Sequence, residues 1–206
     1  IPGNIDSGRI AQNARVVIRK DGIVSYKEDS DFTYVFTDDE FLFEIKDTQY
    51  KLIAYAGDLD TVVFPNSING KSYSIYQMKG VKNVILPNGI TAIGSEAFFD
   101  STLTSIVIPD SVTTIESLAF DGCRSLTSIT IPNSVKTICY MAFGYCGFTN
   151  IEIPGSVTRI DEGAFSGCNL VNIKVSKNNT IYHNDGNCII ETASKTLILG
   201  CNNSII

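Results

Sequence analysis

The sequence predicts a solenoid: a mostly β array of about six stacked coils, with short turns or 3-10/helical segments on the convex side. A β-hairpin cap stands in front of the array and a hairpin closes it behind. Three observations carry this. Pro65, Pro87, Pro109, Pro132 and Pro154 recur at strides of 22, 22, 23 and 22 residues. The residues around each proline recur with it, most clearly in Leu126–Ile138 followed by Ala142, Phe143 and Cys146. A repeat of this length cannot bury its own apolar face, so copies must stack. Finally, composition shifts ahead of the repeats. Residues 1–60 hold twelve Asp and Glu against seven Lys and Arg, and most of the early aromatic residues.

This shift divides the chain into a β-rich cap segment, 1–58, and the solenoid with its C-terminal hairpin, 59–206. Residues 1–8 read as a loose leader, and the start is neither a methionine nor a signal peptide. Val16-Val17-Ile18 and Ile23-Val24-Ser25-Tyr26 flank Asp21-Gly22, a strong hairpin signal. Phe41, Phe43 and Ile45 alternate with Leu42 and Glu44, and Tyr50–Tyr55 answers as a second strand. β-Branched and aromatic residues dominate both runs.

Leu59–Gly80 is a degenerate first copy with an extra turn at Asn69-Gly70. The copies Val81–Thr102, Leu103–Ser125, Leu126–Gly147 and Phe148–Asn169 follow. Leu170 opens a last copy in which Ser176 replaces the proline. Asp185-Gly186, Cys188–Ile190 and Leu197–Leu199 read as the closing hairpin, with its bend at Thr192–Lys195. Ser204-Ile205-Ile206 reads as the strand of a further rung.

Within a copy, Ile129 and Ile131 alternate with Thr130, so one face points inward and the other outward. Proline then ends the strand, having no N–H for the ladder. Val135 and Ile138, three apart, turn the chain back inward, and Ala142-Phe143 fills the far side. Stacking in register places Phe98, Phe120, Phe143 and Phe165 in one file.

These residues resemble the BspA-like leucine-rich repeats, a class of surface proteins in host-associated bacteria and some protist parasites. The pattern L-T-S-I-x-I-P-x-S-V-T-x-I-x-x-x-A-F-x-G-C is matched by Leu103–Cys123, Leu126–Cys146 and Phe148–Cys168. Val81–Ser101 matches with Ser101 in place of the cysteine. The resemblance covers about residues 50–206. It implies a leucine-rich-repeat solenoid that is secreted or displayed at the cell surface and binds protein or glycan partners, often in adhesion. Residues 9–50 carry no further motif.

Other chemistries find little support. The net charge of −6 argues against a nucleic-acid face, which needs clustered Lys and Arg. No run of eighteen apolar residues offers a membrane span. Cys123, Cys146 and Cys168 share one repeat position and read as a column of buried thiols, with side chains pointing the same way rather than at each other. Cys139 reads as exposed, and Cys188 and Cys201 flank the last hairpin, where a disulfide is one reading. No C-x-x-C accompanies them and His183 is the sole histidine, so no metal and no cofactor are expected. His183 lies in a polar stretch without a nucleophile elbow. Glu28–Asp31 and Asp38–Glu40 lack calcium-loop spacing. Asn178-Asn179-Thr180 and Asn202-Asn203-Ser204 fit the glycosylation sequon.

The exposed strand face remains. Ile85, Val107, Thr130, Glu152 and Lys174 are expected to line up across consecutive rungs as a binding surface, the use solenoids commonly make of such a face. No catalytic residue is expected, and the chain is expected to be monomeric. Two further readings stand beside this one: a structural spacer in a larger surface protein, and a glycan-processing enzyme built on two acids or on an acid and His183.

Overall fold

The computed structural model describes residues 24–27, 32–36, 41–46, 48–55, 60–68, 70–71, 73–76, 78 and 81–200. Its first strands are β1 (Val24–Lys27), β2 (Phe32–Phe36), β3 (Phe41–Lys46) and β4 (Gln49–Tyr55). They form an antiparallel meander in sequence order. The expected strands at Phe41 and Tyr50 are β3 and β4, and they pair with each other. The Asp21-Gly22 turn, the leader and the two early acidic runs lie outside the described residues.

The coils follow. The first carries β5 (Thr61–Val63) and β6 (Ser74–Ile75), the second β7 (Asn83–Ile85) and β8 (Ala92–Ile93). The third carries β9 (Ser105–Val107) and β10 (Thr114–Ile115), and the fourth only β11 (Thr137–Ile138). The fifth carries β12 (Asn150–Ile153) and β13 (Arg159–Ile160), and β14 (Asn172–Val175) opens a sixth. About five complete turns thus lie between β5 and β14. An antiparallel meander of β15 (Tyr182–Asp185), β16 (Cys188–Glu191) and β17 (Leu197–Gly200) closes the array. Its second bend spans Thr192–Ser194, as the sequence suggests. No helix occurs among the described residues; the convex side is made of turns alone.

Each coil is shaped by its own residues. The carbonyls of Pro109, Pro132 and Pro154 accept the N–H of the valine three residues on, at 3.0, 3.1 and 3.3 Å. Proline therefore both stops the strand and opens the turn that drives Val112, Val135 and Val157 into the core, where all three are fully buried. The next inward residue belongs to a second strand column, β8, β10, β11 and β13, parallel and in register (Ile93↔Ile115↔Ile138↔Ile160). Thr113 and Thr158 add side-chain bonds to the carbonyls of Thr91 and Lys136 one coil back. On the far side the chain bends through two left-handed residues per coil, four apart: Glu96 and Asp100, Leu118 and Gly122, Met141 and Tyr145, Gly163 and Gly167. Only the fifth coil places glycine at both. In the others an ordinary side chain holds a sparsely populated conformation because the stack around it leaves no alternative.

The apolar file runs through the centre. Phe98, Phe120, Phe143 and Phe165 stack with centroid separations of 5.3, 5.3 and 5.4 Å and interplanar angles of 10° or less. One hydrophobic core extends from Phe41 to Ile189. The meander β1–β4 joins it through β4, which pairs in parallel with β6 of the first coil.

At the other end, side chains take the place of a further coil. Asn179 donates to the carbonyls of Pro154 and Val157 and accepts the N–H groups of Ile181 and Tyr182, all within 2.9 Å. The Tyr182 hydroxyl accepts the N–H of Ile160 on β13. Asn184 donates to the Ile173 carbonyl and accepts the Val175 N–H on β14. The open backbone groups of the last coil are thereby satisfied.

One departure is local. The copy that spells the repeat most clearly is the one that forms no first-column strand: residues 126–131 pair with neither neighbour. The first column is split into β5-β7-β9 and β12-β14. The cause lies one copy earlier. The single 23-residue stride inserts a residue between Cys123 and Leu126, and Arg124 is drawn into a tight turn, its N–H donating to the Gly122 carbonyl at 2.7 Å. The second column and the phenylalanine file absorb the insertion and stay continuous.

Candidate functional site

The face formed by the first strand column is built by the period-two alternation of each strand. Val62, Val84 and Ile106 point inward and are buried, which forces their neighbours outward. Ile85 is 45% exposed on β7 and Val107 67% exposed on β9. They are register partners. Glu152 and Lys174, both exposed, are register partners on β12 and β14. Thr130 is exposed but stands in the unpaired rung between these two pairs. Four of the five expected residues therefore form an apolar pair and a pair of opposite charges on separate sheets, and Thr130 joins neither.

One residue was missed. Val63 on β5 is 62% exposed and is the register partner of Ile85. Stepping the row back one stride of 22 from Ile85 reaches it, but the degenerate first copy hides the correspondence. Val63, Ile85 and Val107 thus form a row of three aliphatic side chains across one three-stranded sheet. Polar groups border it. Lys82 Nζ lies 2.6 Å from Asp60 Oδ1. Asn83 Oδ1 accepts from Thr104 Oγ1 and Ser105 Oγ, at 2.9 and 2.7 Å, and Asn83 Nδ2 donates to the Asp60 carbonyl. The rim is preorganised and its charges are paired. Tyr140 and Tyr145 are also half-exposed, but on the convex turns away from this column.

The thiols lie inside. Cys123, Cys146 and Cys168 donate to the carbonyls of Phe98, Phe120 and Phe143, each one coil back, at 3.1, 3.2 and 3.0 Å. Burial pushes the Cys123 thiol up to about 12, and these groups serve as neutral donors that tie coil to coil. Cys139 is half-buried rather than exposed, its thiol raised by burial and by Asp161. Cys188 is buried on β16 and free, and Cys201 lies outside the described residues. Among the described residues, no group of three or more His, Cys, Asp or Glu side chains is placed to hold a metal ion. His183 sits on β15 with Nδ1 2.9 Å from Thr192 Oγ1, a contact within the closing meander. No helix among the described residues is long and apolar enough to cross a membrane.

A stacked, parallel-stranded repeat array with one solvent-facing strand column defines a leucine-rich-repeat solenoid. Six copies of the BspA type leucine-rich repeat region match the chain over residues 36–127 and 113–188, and the chain belongs to that family. A leucine-rich repeat protein from Bacteroides ovatus shares 30% identity over 68% of this chain, with a TM-score of 0.58. The chain spans 40% of that protein's length. A leucine-rich repeat protein from T. pallidum shares 28% identity with a TM-score of 0.56, over 72% of this chain and 70% of its own. The pneumococcal vaccine antigen PcpA, at 12% identity, shares the fold over 91% of this chain and 56% of its own, with a TM-score of 0.60. No curated protein matches the sequence. Repeat proteins of this family and fold are interaction- or adhesion-type modules and are typically non-catalytic.

Proposed function

We propose that this chain is a recognition module, secreted or displayed at the cell surface, that takes up its partner on the first strand column. The observation that carries the reading is the row Val63, Ile85 and Val107. Three large aliphatic side chains stand outward on adjacent strands, and neighbouring exposed apolar groups mark contact surfaces. The row favours a protein partner over a glycan, since it offers methyl groups and no aromatic ring for a sugar to stack on. A plain spacer has no use for such a row. Family membership supports the location.

A binding screen tests this, with the chain passed over immobilised extracellular-matrix proteins and over a glycan array. Val63→Ser combined with Val107→Ser is expected to abolish capture by the matrix protein that binds, with an unchanged thermal midpoint. The triple variant Thr130→Ala, Glu152→Ala, Lys174→Ala reports whether the partner reaches the charged half. Retention of full binding by both variants removes this face from the mechanism.

A further inference from the structure

At the fourth rung, sequence and structure disagree. Ile129 and Ile131 alternate with Thr130 there, as in the rungs that form strands, and β-branched residues favour a strand. Yet residues 127–131 make no backbone hydrogen bond to any described residue. Elsewhere this part of the coil is tied to the coil before it. Thr104 and Ser105 donate their N–H groups to the Lys82 carbonyl at 2.6 and 3.2 Å, and Val171 and Asn172 donate theirs to Thr149 at 2.7 and 3.2 Å. Burial points the same way. Val62, Val84, Ile106, Ile151 and Ile173 hold the first inward position and are buried, whereas Ile129, at the same position, is only partly buried. The side chains agree. Asn83 bridges to Thr104 and Ser105 across two coils, but Asn150 turns back onto Thr149 of its own rung. The rest of the fourth coil is held firmly. On the second column Lys136 and Cys139 donate to the carbonyls of Thr113 and Ile115 at 2.8 and 2.9 Å, and Lys136 accepts from Thr158 at 2.9 Å. On the convex turns Leu118 donates to Tyr140 at 3.0 Å and Phe143 to Ala164 at 2.8 Å. The fourth coil is therefore bonded to both neighbours on two sides and free on the third, which is the geometry of a strap.

We propose that residues 127–131 are a two-state strap, out of the ladder in the free chain and drawn between β9 and β12 when a partner occupies the first-column face. This rests on the reading of that face as the binding surface. In the paired state β5-β7-β9 and β12-β14 join through the fourth rung into one continuous column. The aliphatic row is then fixed relative to Glu152 and Lys174, and a partner lying across both halves meets one rigid surface. Such a partner binds the paired state better, and that difference in affinity is what shifts the population. The sequence supplies both states. The Ile-Thr-Ile pattern is competent to pair, and the extra residue before it holds it out. Arg124 and Ser125 stand between Cys123 and Leu126, where the neighbouring coils have only Thr102, Gly147 or Asn169 at that place.

Hydrogen exchange on the full 206-residue chain, followed by NMR, tests the strap without any partner. The amides of residues 127–131 are expected to exchange at least about a hundredfold faster than those of Thr104 and Val171, as local opening does against a paired ladder. Lys136 and Cys139, in the same coil, are expected to stay protected. Protection of 127–131 equal to that of Thr104 overturns the proposal, because the rung is then already paired. Equal loss of protection at Lys136 and Cys139 overturns it too, because the whole coil then opens. The paired state is tested by deleting Ser125, which restores a 22-residue stride. Thr127 is expected to gain the protection of Thr104, and a folded deletion chain in which Thr127 still exchanges freely sinks the paired state. Should the deletion unfold, the native chain is measured with the matrix protein captured in the binding screen, where 127–131 are expected to become protected; unchanged exchange in that complex overturns the coupling. Failure of the face itself is read separately, as full capture of the same matrix protein by the Val63→Ser, Val107→Ser chain.

Discussion

Phe120 lies face to face with Phe143 across consecutive coils, ring centroids 5.3 Å apart and planes within 2° of parallel. With Phe98 and Phe165 they form the file that the repeat requires, and Phe143 has an additional edge contact to Phe148 at 5.9 Å. Each ring supports the one above and the one below. Removing one leaves a void bounded by fixed coils that cannot collapse into it. Phe120→Ala and Phe143→Ala are each expected to lower stability by about 3–5 kcal/mol, with Phe143→Ala the worse. Urea denaturation followed by circular dichroism measures both; losses under about 1 kcal/mol argue that the file is not a continuous core.

Gly147 marks a close approach of the fourth coil to the backbone of the third. A Cβ there would lie 2.2 Å from the Arg124 carbonyl oxygen and 3.1 Å from its carbon. Both are backbone atoms, so no side chain can move aside. Gly147→Ala is expected to cost more than 2 kcal/mol, within the overpacking range of about 1–3 kcal/mol and towards its upper end. Gly89→Ala is the contrast. It stands in open space at φ +106°, so its penalty is conformational alone, about 1–2 kcal/mol. Differential scanning calorimetry ranks the two, and a smaller shift for Gly147→Ala would mean the coils sit farther apart at this crossing.

Asp121 gives the protein a pH signature. It is 9% exposed, its Oδ1 has no hydrogen-bond partner, and it fills the space that a Cβ at Gly144 would need. Burial, then the nearby Asp100 carboxylate, raises its pKa, with Arg124 opposing. A raised carboxylate binds its proton more tightly folded than unfolded. Ionised Asp121 is therefore a destabilising group at neutral pH, and the penalty disappears as pH falls through the raised pKa towards the ordinary value near 4. Asp121→Asn is expected to raise the thermal midpoint at pH 7.5 and to lose most of that advantage by pH 4. An advantage that persists unchanged to pH 4 would assign the effect to packing instead of charge.

Asn179 closes the array with four hydrogen bonds to the last coil and its own turn. Asn179→Ala removes all four and strands two carbonyls and two N–H groups, for an expected loss of about 2–4 kcal/mol. The adjacent Asn178 contributes its backbone N–H to Ser176, which alanine retains, so Asn178→Ala is expected to be nearly silent. Hydrogen exchange sharpens the test: the Ile181 and Tyr182 amides are expected to lose protection in Asn179→Ala alone.

Most of the architecture was legible because each repeat position meets the same surroundings in every copy. Ile93, Ile115, Ile138 and Ile160 could be assigned to one inward column from their spacing, as could the phenylalanine file. The candidate face was legible as a column but not in its composition. Val63 escaped because the first copy has lost most of its repeat residues, and Thr130 was placed in a strand that the fourth rung does not form. The terminal cap was invisible, because Asn179, Tyr182 and Asn184 each act by reaching backbone groups that the repeat pattern assigns to a neighbour that is not there.

The sequence alone determined that the chain stacks in coils of twenty-two or twenty-three residues, which side chains face the axis, and where each coil turns. Periodicity encodes those features, since every copy repeats the same local instruction. Tertiary structure decided where the strand column splits and which side chains make up the bordered aliphatic row. Such differences are set by the balance of packing and hydrogen bonds on all sides of the stack, and a repeat motif is blind to them by construction.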